Sequence, residues 1–256
     1  MAARILDINC DMGEGFGNWR MADDAAVLPL VTTANLACGF HAGDPVIMME
    51  TAGAARAAGV AVGAHPGLPD LAGFGRRVMA LSAAELHACV AYQVGALQAF
   101  LRIHDLPLNH VKPHGAMFHV LRNPEMAEAA LDAITGTAPG APIYWLVGEV
   151  FTARARARGL RVVTEAYPDL DYADDGMLLV ERRKRPVEPA VIEARITEIL
   201  TRGTLTNSRG TTLPMEVESV CIHSDGPNVL EVLAAVRRAA EACGVALACA
   251  TRGAAR

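Results

Sequence analysis

Apolar and polar positions along this chain change period repeatedly, and the changes mark out short strands and longer helices. Ile5–Cys10 is a brief, β-branched apolar segment that runs into the glycine-rich stretch 11–17. Apolar runs at 27–36, 60–64, 108–111, 143–147, 160–164 and 219–222 predict six further strands. Between them, amphipathic stretches predict helices over 46–58, 82–101, 123–134, 150–158, 190–202 and 228–243. Several helix starts are chemically marked. Asp44-Pro45 and Asn123-Pro124 each pair a capping side chain with a proline suited to the first turn, and Ser82 with Glu85 forms a capping box. Residues 245–250 read as a last short strand or a tail. The segment 170–189 is polar and irregular, and its basic run from Arg182 to Arg185 is expected on a solvated face.

Strand and helix alternate throughout, which implies a parallel sheet wrapped by helices. Seven or eight such units in 256 residues predict an α/β fold, a TIM-like (β/α)7 barrel, with residues 1–256 as one domain. Composition agrees: 52% of residues are hydrophobic but only 5% aromatic, so the core is built mostly of Ala, Val and Leu. A net charge of −5 gives no electrostatic reason to bind nucleic acid. No apolar run is long enough to span a membrane, and the N-terminus enters a strand without a signal-peptide pattern, so a cytoplasmic protein is expected. The six cysteines form no C-x-x-C pair and are expected as reduced, packed thiols.

The chemistry gathers where strands end. Asp7, Asn9 and Asp11 alternate, so an extended backbone puts all three on one face, which is costly to bury without polar partners. Glu14 follows. Later strand ends bring Asn35, His41 and Asp44, then His65 and Asp70, then Lys112 and His114, then Glu165 and Asp169, then His223 and Asp225. In a parallel α/β fold these positions face one rim, where such enzymes carry their sites. Each residue alone has a plainer reading. A histidine after a strand is commonly structural, Asp44 is a helix cap, Asp70 shapes its loop, Cys10 and Cys38 are packing thiols, and Arg76 and Arg77 are surface charges unless they clamp an anion. Four histidines, one of only two lysines and several carboxylates at equivalent positions favour a site. His87, His104, His110 and His119 fall in helices or strand flanks and are not selected.

Two chemistries suit such a rim: a divalent metal that polarises an amide or activates water, or a lysine and histidine that stabilise an oxyanion while a carboxylate acts on water. No H-E-x-x-H, G-x-S-x-G or Walker A sequence is present, and no G-x-G-x-x-G follows a strand.

Six stretches carry a resemblance: Asp-Ile-Asn-Cys-Asp-Met-Gly-Glu at 7–14, Asn-Leu-Ala-Cys-Gly-Phe-His-Ala-Gly-Asp-Pro at 35–45, Gly-Ala-His-Pro-Gly-Leu-Pro-Asp at 63–70, Gly-Phe-Gly-Arg-Arg at 73–77, Tyr-Gln-Val-Gly-Ala-Leu at 92–97 and Val-Lys-Pro-His-Gly-Ala-Met at 111–117. In this order they resemble the LamB/YcsF family, which contains the A component of the bacterial ATP-dependent 5-oxoprolinase. The resemblance implies a seven-stranded barrel of the glycoside hydrolase/deacetylase superfamily type. It also implies cleavage of the lactam 5-oxo-L-proline to L-glutamate with subunits B and C, using ATP as co-substrate, with Mg accompanying the ATP. Whether the protein holds a divalent metal of its own stays open. Asp7, Asn9, Asp11, Glu14, Asn35, His41, Asp44, His65, Lys112, His114, Glu165 and His223 match the family's polar positions. We expect Asp11, Glu14, His41, Lys112 and His114 in catalysis, and Asp7, Asn9, Asn35, His65, Glu165 and His223 in substrate binding. Two other readings are a stand-alone metal-dependent amidase using His41, His65, His114 or His223 with Asp11, and a ligand-binding component without turnover. The family pattern departs at Leu170, where an arginine is typical, at 182–186, and at Ser224. These departures bear on which lactam fits.

Overall fold

The computed structural model describes residues 4–179 and 184–251. Of the basic run, Arg182 and Arg183 lie outside the described residues.

Strand β1 (Ile5–Met12) is the centre of the sheet. Leu6, Ile8, Cys10 and Met12 alternate with Asp7, Asn9 and Asp11, and all seven are buried. Burial on both faces is the signature of a parallel strand covered by helices. Asp23 caps the short helix α1 (Asp24–Val27), and a 3₁₀ turn (Leu28–Leu30) leads into β2 (Thr33–Ala37). The strand predicted from residue 27 therefore begins at 33; its apolar start is helical. Asp44 caps α2 (Pro45–Ala58), accepting from the amides of Val46 at 2.8 Å and Ile47 at 2.9 Å. Next come β3 (Ala61–His65) and the long helix α3 (Ala83–Ile103), opened by the full Ser82–Glu85 capping box. The single turn α4 (Met117–Val120) was not anticipated; α5 (Pro124–Thr137), β4 (Ile143–Leu146), α6 (Val150–Ala157) and β5 (Val162–Ala166) follow the predicted order.

The polar segment after residue 170 contains a small antiparallel pair, β6 (Asp171–Tyr172) and β7 (Leu178–Leu179). Helix α7 (Pro189–Arg202) leads to a second such pair, β8 (Thr204–Thr206) and β9 (Thr212–Pro214). Strand β10 (Ser219–His223), helix α8 (Val229–Ala242) and β11 (Ala246–Leu247) complete the described chain, β11 pairing with the start of β1.

The main sheet runs β3-β2-β1-β10-β5-β4, all pairs parallel. This corrects the expected closed (β/α)7 barrel: six parallel strands form an open, half-barrel array. The predicted fourth strand, 108–111, is not a ladder strand. Val111 alone makes isolated bridges, to Ala64 on one side and Ile143 on the other. The segment's backbone still bonds both neighbours, with the amides of Asn109 and Lys112 donating to Val62 O and Ala64 O and that of Val111 to Pro142 O.

Register decides what the sheet can present. Asp11 pairs with both Asn35 and His223, Ala37 with His65, and Glu165 with both Ser219 and Leu146. Asp11, Asn35 and His223 thus stand level on three adjacent strands, with Glu165 level with Ser219 and Asp7 lower down. Among the described residues, no helix is long and apolar enough to cross a membrane.

Candidate active site

The buried polar face has two levels. At its lower end Asp7 is completely enclosed. It accepts from Thr33 Oγ1 at 2.7 Å, from Tyr144 OH at 2.7 Å and from Thr32 Oγ1, with Ser219 Oγ at 3.2 Å. Its partners are all neutral hydroxyls, so burial prevails and its pKa is raised.

One level up, Asn9 and Asn35 tie the strands together. Asn9 Nδ2 donates to Glu165 Oε2 at 3.0 Å and Ser219 Oγ at 2.8 Å; Asn35 Nδ2 donates to Asn9 Oδ1 at 2.7 Å and Asp11 Oδ1 at 2.8 Å. Lys112 Nζ enters this net from the 109–115 segment, 3.1 Å from Asn9 Oδ1, 3.3 Å from Asp11 Oδ1 and 3.4 Å from Glu165 Oε2. It is 1% exposed and lies over the Tyr167 ring, whose hydroxyl donates to Glu165. Burial alone would strip the lysine of its proton, but the carboxylates of Asp11 and Glu165 reverse this and hold its pKa well above the ordinary value. Burial likewise opposes ionisation of Asp11, yet His65 and Lys112 outweigh it and hold that carboxyl well below its usual range.

At the rim, three imidazoles converge. His65 Nδ1 faces the carbonyl of Lys112 at 2.7 Å, and His114 Nε2 faces the carbonyl of Phe74 at 2.9 Å. Their other nitrogens, His65 Nε2 and His114 Nδ1, approach to 2.9 Å. His41 stacks flat on His114 at 3.7 Å and places Nε2 3.3 Å from Glu14 Oε1. Burial lowers the pKa of both His41 and His114 well below the ordinary value, and raises that of Glu14 together with the Asp11 charge. Small residues make room for these rings. Any side chain at Gly63 would collide with the imidazole of His110. Gly75, with φ +63, lies where a Cβ would meet His41 and His114.

Across the mouth, His223 donates from Nδ1 to Asp169, 2.9 Å from Oδ2, leaving Nε2 4.0 Å from Asp11 Oδ2. The side chain of Lys184 is only 6% exposed, with Nζ 3.6 Å from Asp169 and 2.9 Å from Asp225; Arg76 Nη2 bonds the same Asp225 at 2.8 Å. The expectation that the 182–185 run is a solvated face is therefore wrong for Lys184. Burial opposes ionisation of Asp169, but His223 and Lys184 outweigh it and keep its carboxyl below the ordinary range.

Asp11, His65, Arg76, Lys112, His114, Tyr167 and His223 share a cavity closed by Phe118, Trp145, Leu146 and Leu178. Of the remaining predicted site residues, Glu14 and His41 flank this cavity, Asn9, Asn35 and Glu165 lie beneath it, and Asp7 sits at the far end of the face. Asp44 is occupied as a helix cap. Leu170 is buried and does not line this cavity. The sequence reading set aside His110, which is fully buried and holds Asn35 Oδ1 at 2.7 Å, and did not select Tyr167. Val111 and Lys112 next to His110 were the available signal, since alternation puts 110 and 112 on one face.

Glu14, His41, His65 and His114 can each offer one ligand atom, all within 4.8 Å of one another, so this buried cluster is compatible with a divalent metal ion. A parallel α/β sheet whose carboxyl rim gathers buried acids, imidazoles and a charged lysine is the construction of an α/β enzyme.

Comparison with known proteins agrees. Residues 6–255 match the LamB/YcsF family model. The chain is 44% identical to the lactam utilization protein lamB of Emericella nidulans, covering 90% of this chain and 92% of that one. It is 46% identical to the 5-oxoprolinase A component of Thermus thermophilus, covering 94% and 97%. The crystal structure of the lactam utilization protein from Thermus thermophilus superposes with a TM-score of 0.87 at 43% identity, over 95% of this chain and 99% of that one. The chain belongs to the LamB/YcsF family.

Proposed function

We propose that the protein is the A component of an ATP-dependent 5-oxoprolinase and opens the lactam ring of 5-oxo-L-proline to give L-glutamate. The observation that supports this most is Lys112: a buried ammonium held charged by Asp11 and Glu165 beside an acid–base pair, His223 with Asp169, in one cavity. Relatives that this chain matches over nearly their whole length bear the name of that 5-oxoprolinase component.

A five-membered lactam is a stable amide, so an activating co-substrate is chemically sensible. Transfer of a phosphoryl group from ATP to the lactam oxygen makes the ring carbon electrophilic. Water then adds to that carbon and gives a proton to His223 Nε2, whose other nitrogen is fixed by Asp169. The C–N bond breaks as the added hydroxyl gives up its proton and becomes the carbonyl of an acyl phosphate; the ring nitrogen takes up that proton and the one held by His223 and leaves as an ammonium. The resulting acyl phosphate is hydrolysed by a second water to carboxylate and phosphate. Lys112 opposes charge on the lactam oxygen, and Asp11 positions the attacking water. Arg76, at the cavity wall, suits the substrate's carboxylate. ATP and its Mg enter with subunits B and C.

The test is ADP release dependent on 5-oxoproline with the partner subunits present. Lys112→Ala should reduce the rate by about 10²-fold or more, as for loss of an oxyanion-stabilising donor. A normal rate would sink the role given to the lysine.

A further inference from the structure

The His65–His114 contact brings two ring nitrogens together, and the carbonyls behind the rings fix which nitrogens they are. Both carbonyls can only accept, so His65 carries hydrogen on Nδ1, toward Lys112 O, and His114 carries it on Nε2, toward Phe74 O. In neutral imidazoles this leaves two bare lone pairs facing each other at 2.9 Å, enclosed in protein. A positive charge must lie between them: a proton on His65, whose Nε2 is also 3.4 Å from Asp11 Oδ2, or a metal ion. Glu14 Oε1 lies 3.7 Å from His114 Nδ1 and 3.3 Å from His41 Nε2, so a carboxylate oxygen and a third imidazole nitrogen face the same point. Histidine ligands to metals ordinarily anchor their outer N–H on a backbone carbonyl or carboxylate, as two of these rings do.

The number of donors separates the two cases. A proton shared by two rings uses only two of the four atoms that meet here; a metal ion uses all four, and they lie within 4.8 Å of one another. We propose that Glu14, His41, His65 and His114 bind one divalent transition-metal ion. Three imidazoles and a carboxylate form a nitrogen-rich set that favours zinc-like ions over magnesium. The inference holds whichever amide the enzyme cleaves.

Equilibrium dialysis of the full chain against zinc, with elemental analysis, tests it. About one equivalent per chain is expected, with magnesium failing to compete. Glu14→Gln and His114→Ala should each weaken binding by roughly 10- to 100-fold or more. Asp7→Asn, distant from the cluster, should bind as the parent does. Zinc should also raise the thermal midpoint of the parent but not of His114→Ala, which separates lost ligation from lost folding. Substoichiometric zinc, or parent-like binding by both cluster variants, overturns the proposal. So does a nitrogen NMR spectrum, recorded with excess zinc, showing a proton shared between His65 and His114. Loss of 5-oxoproline turnover with zinc binding intact would count against the proposed function and not against this site.

Discussion

Asp7 and Asp11 lie on one strand, face the same way and are both buried, yet their surroundings give them opposite chemistry. Asp7 sits among the hydroxyls of Thr32, Thr33, Tyr144 and Ser219, with no cation to favour its charge. Asp11, four residues on, touches Lys112 and His65 and faces His223. Burial acts on both; the cations decide which stays ionised. The lower end of the polar face therefore works as a knot that ties β1 to β2, β4 and β10, and the upper end as a charged cavity. A carboxylate on the inner face is not by itself a catalytic group. What sets Asp11 apart is the positive charge that neighbouring segments bring to it.

The strongest way to break this contrast is the isosteric pair of substitutions. Asp11→Asn should reduce 5-oxoproline-dependent ADP release by about 10²- to 10⁴-fold, the range for a lost acid–base or water-positioning group. Asp7→Asn should leave the rate within a few-fold, because an amide can replace a carboxyl among hydroxyls. Equal losses in the two variants would erase the distinction between the levels.

Next in size is Gly63→Ala. A methyl group there drives into the His110 ring, which holds Asn35 and through it Asp11. Overpacking of this kind costs about 1–3 kcal/mol, measurable by urea unfolding. An unchanged midpoint would show that His110 moves freely and does not brace the site.

The finest test is pH. Asp169 has its folded-state pKa depressed, so its contribution is present above the ordinary carboxylate value and is lost as pH falls below about 4. The stability gap between parent and Asp169→Asn should shrink on acidification. Asp7 has the opposite sign. Its raised pKa means the folded state holds the proton better, so the advantage of the parent over Asp7→Asn should grow as pH falls. Unfolding midpoints of the three proteins, followed from neutral pH into acid, should show the Asp7 gap growing above about pH 4 and the Asp169 gap shrinking below it; slopes of the same sign would refute the contrast.

Much of this was legible in one dimension. The alternation of Asp7, Asn9 and Asp11, the Asp44-Pro45 cap, the Ser82–Glu85 box and the polar residues after each strand follow from local periodicity and capping chemistry, which the backbone enforces within a few residues. The same local rules fixed the order of the main strands and helices and picked out His41, His65, Lys112 and His114. They failed where partners are remote. The segment 108–111 meets β3 and β4 only through isolated bridges at Val111, so the main sheet stays open. Lys184 looks like a surface charge until Asp169 and Asp225 close around it. The sequence alone therefore determined which chemical groups stand at the strand ends. Only the tertiary structure decided which of them are charged, which tautomers the histidines adopt and which carboxylate is structural. Burial and charge depend on residues far apart in the chain, as Lys112 is from Asp11 and His223 from both.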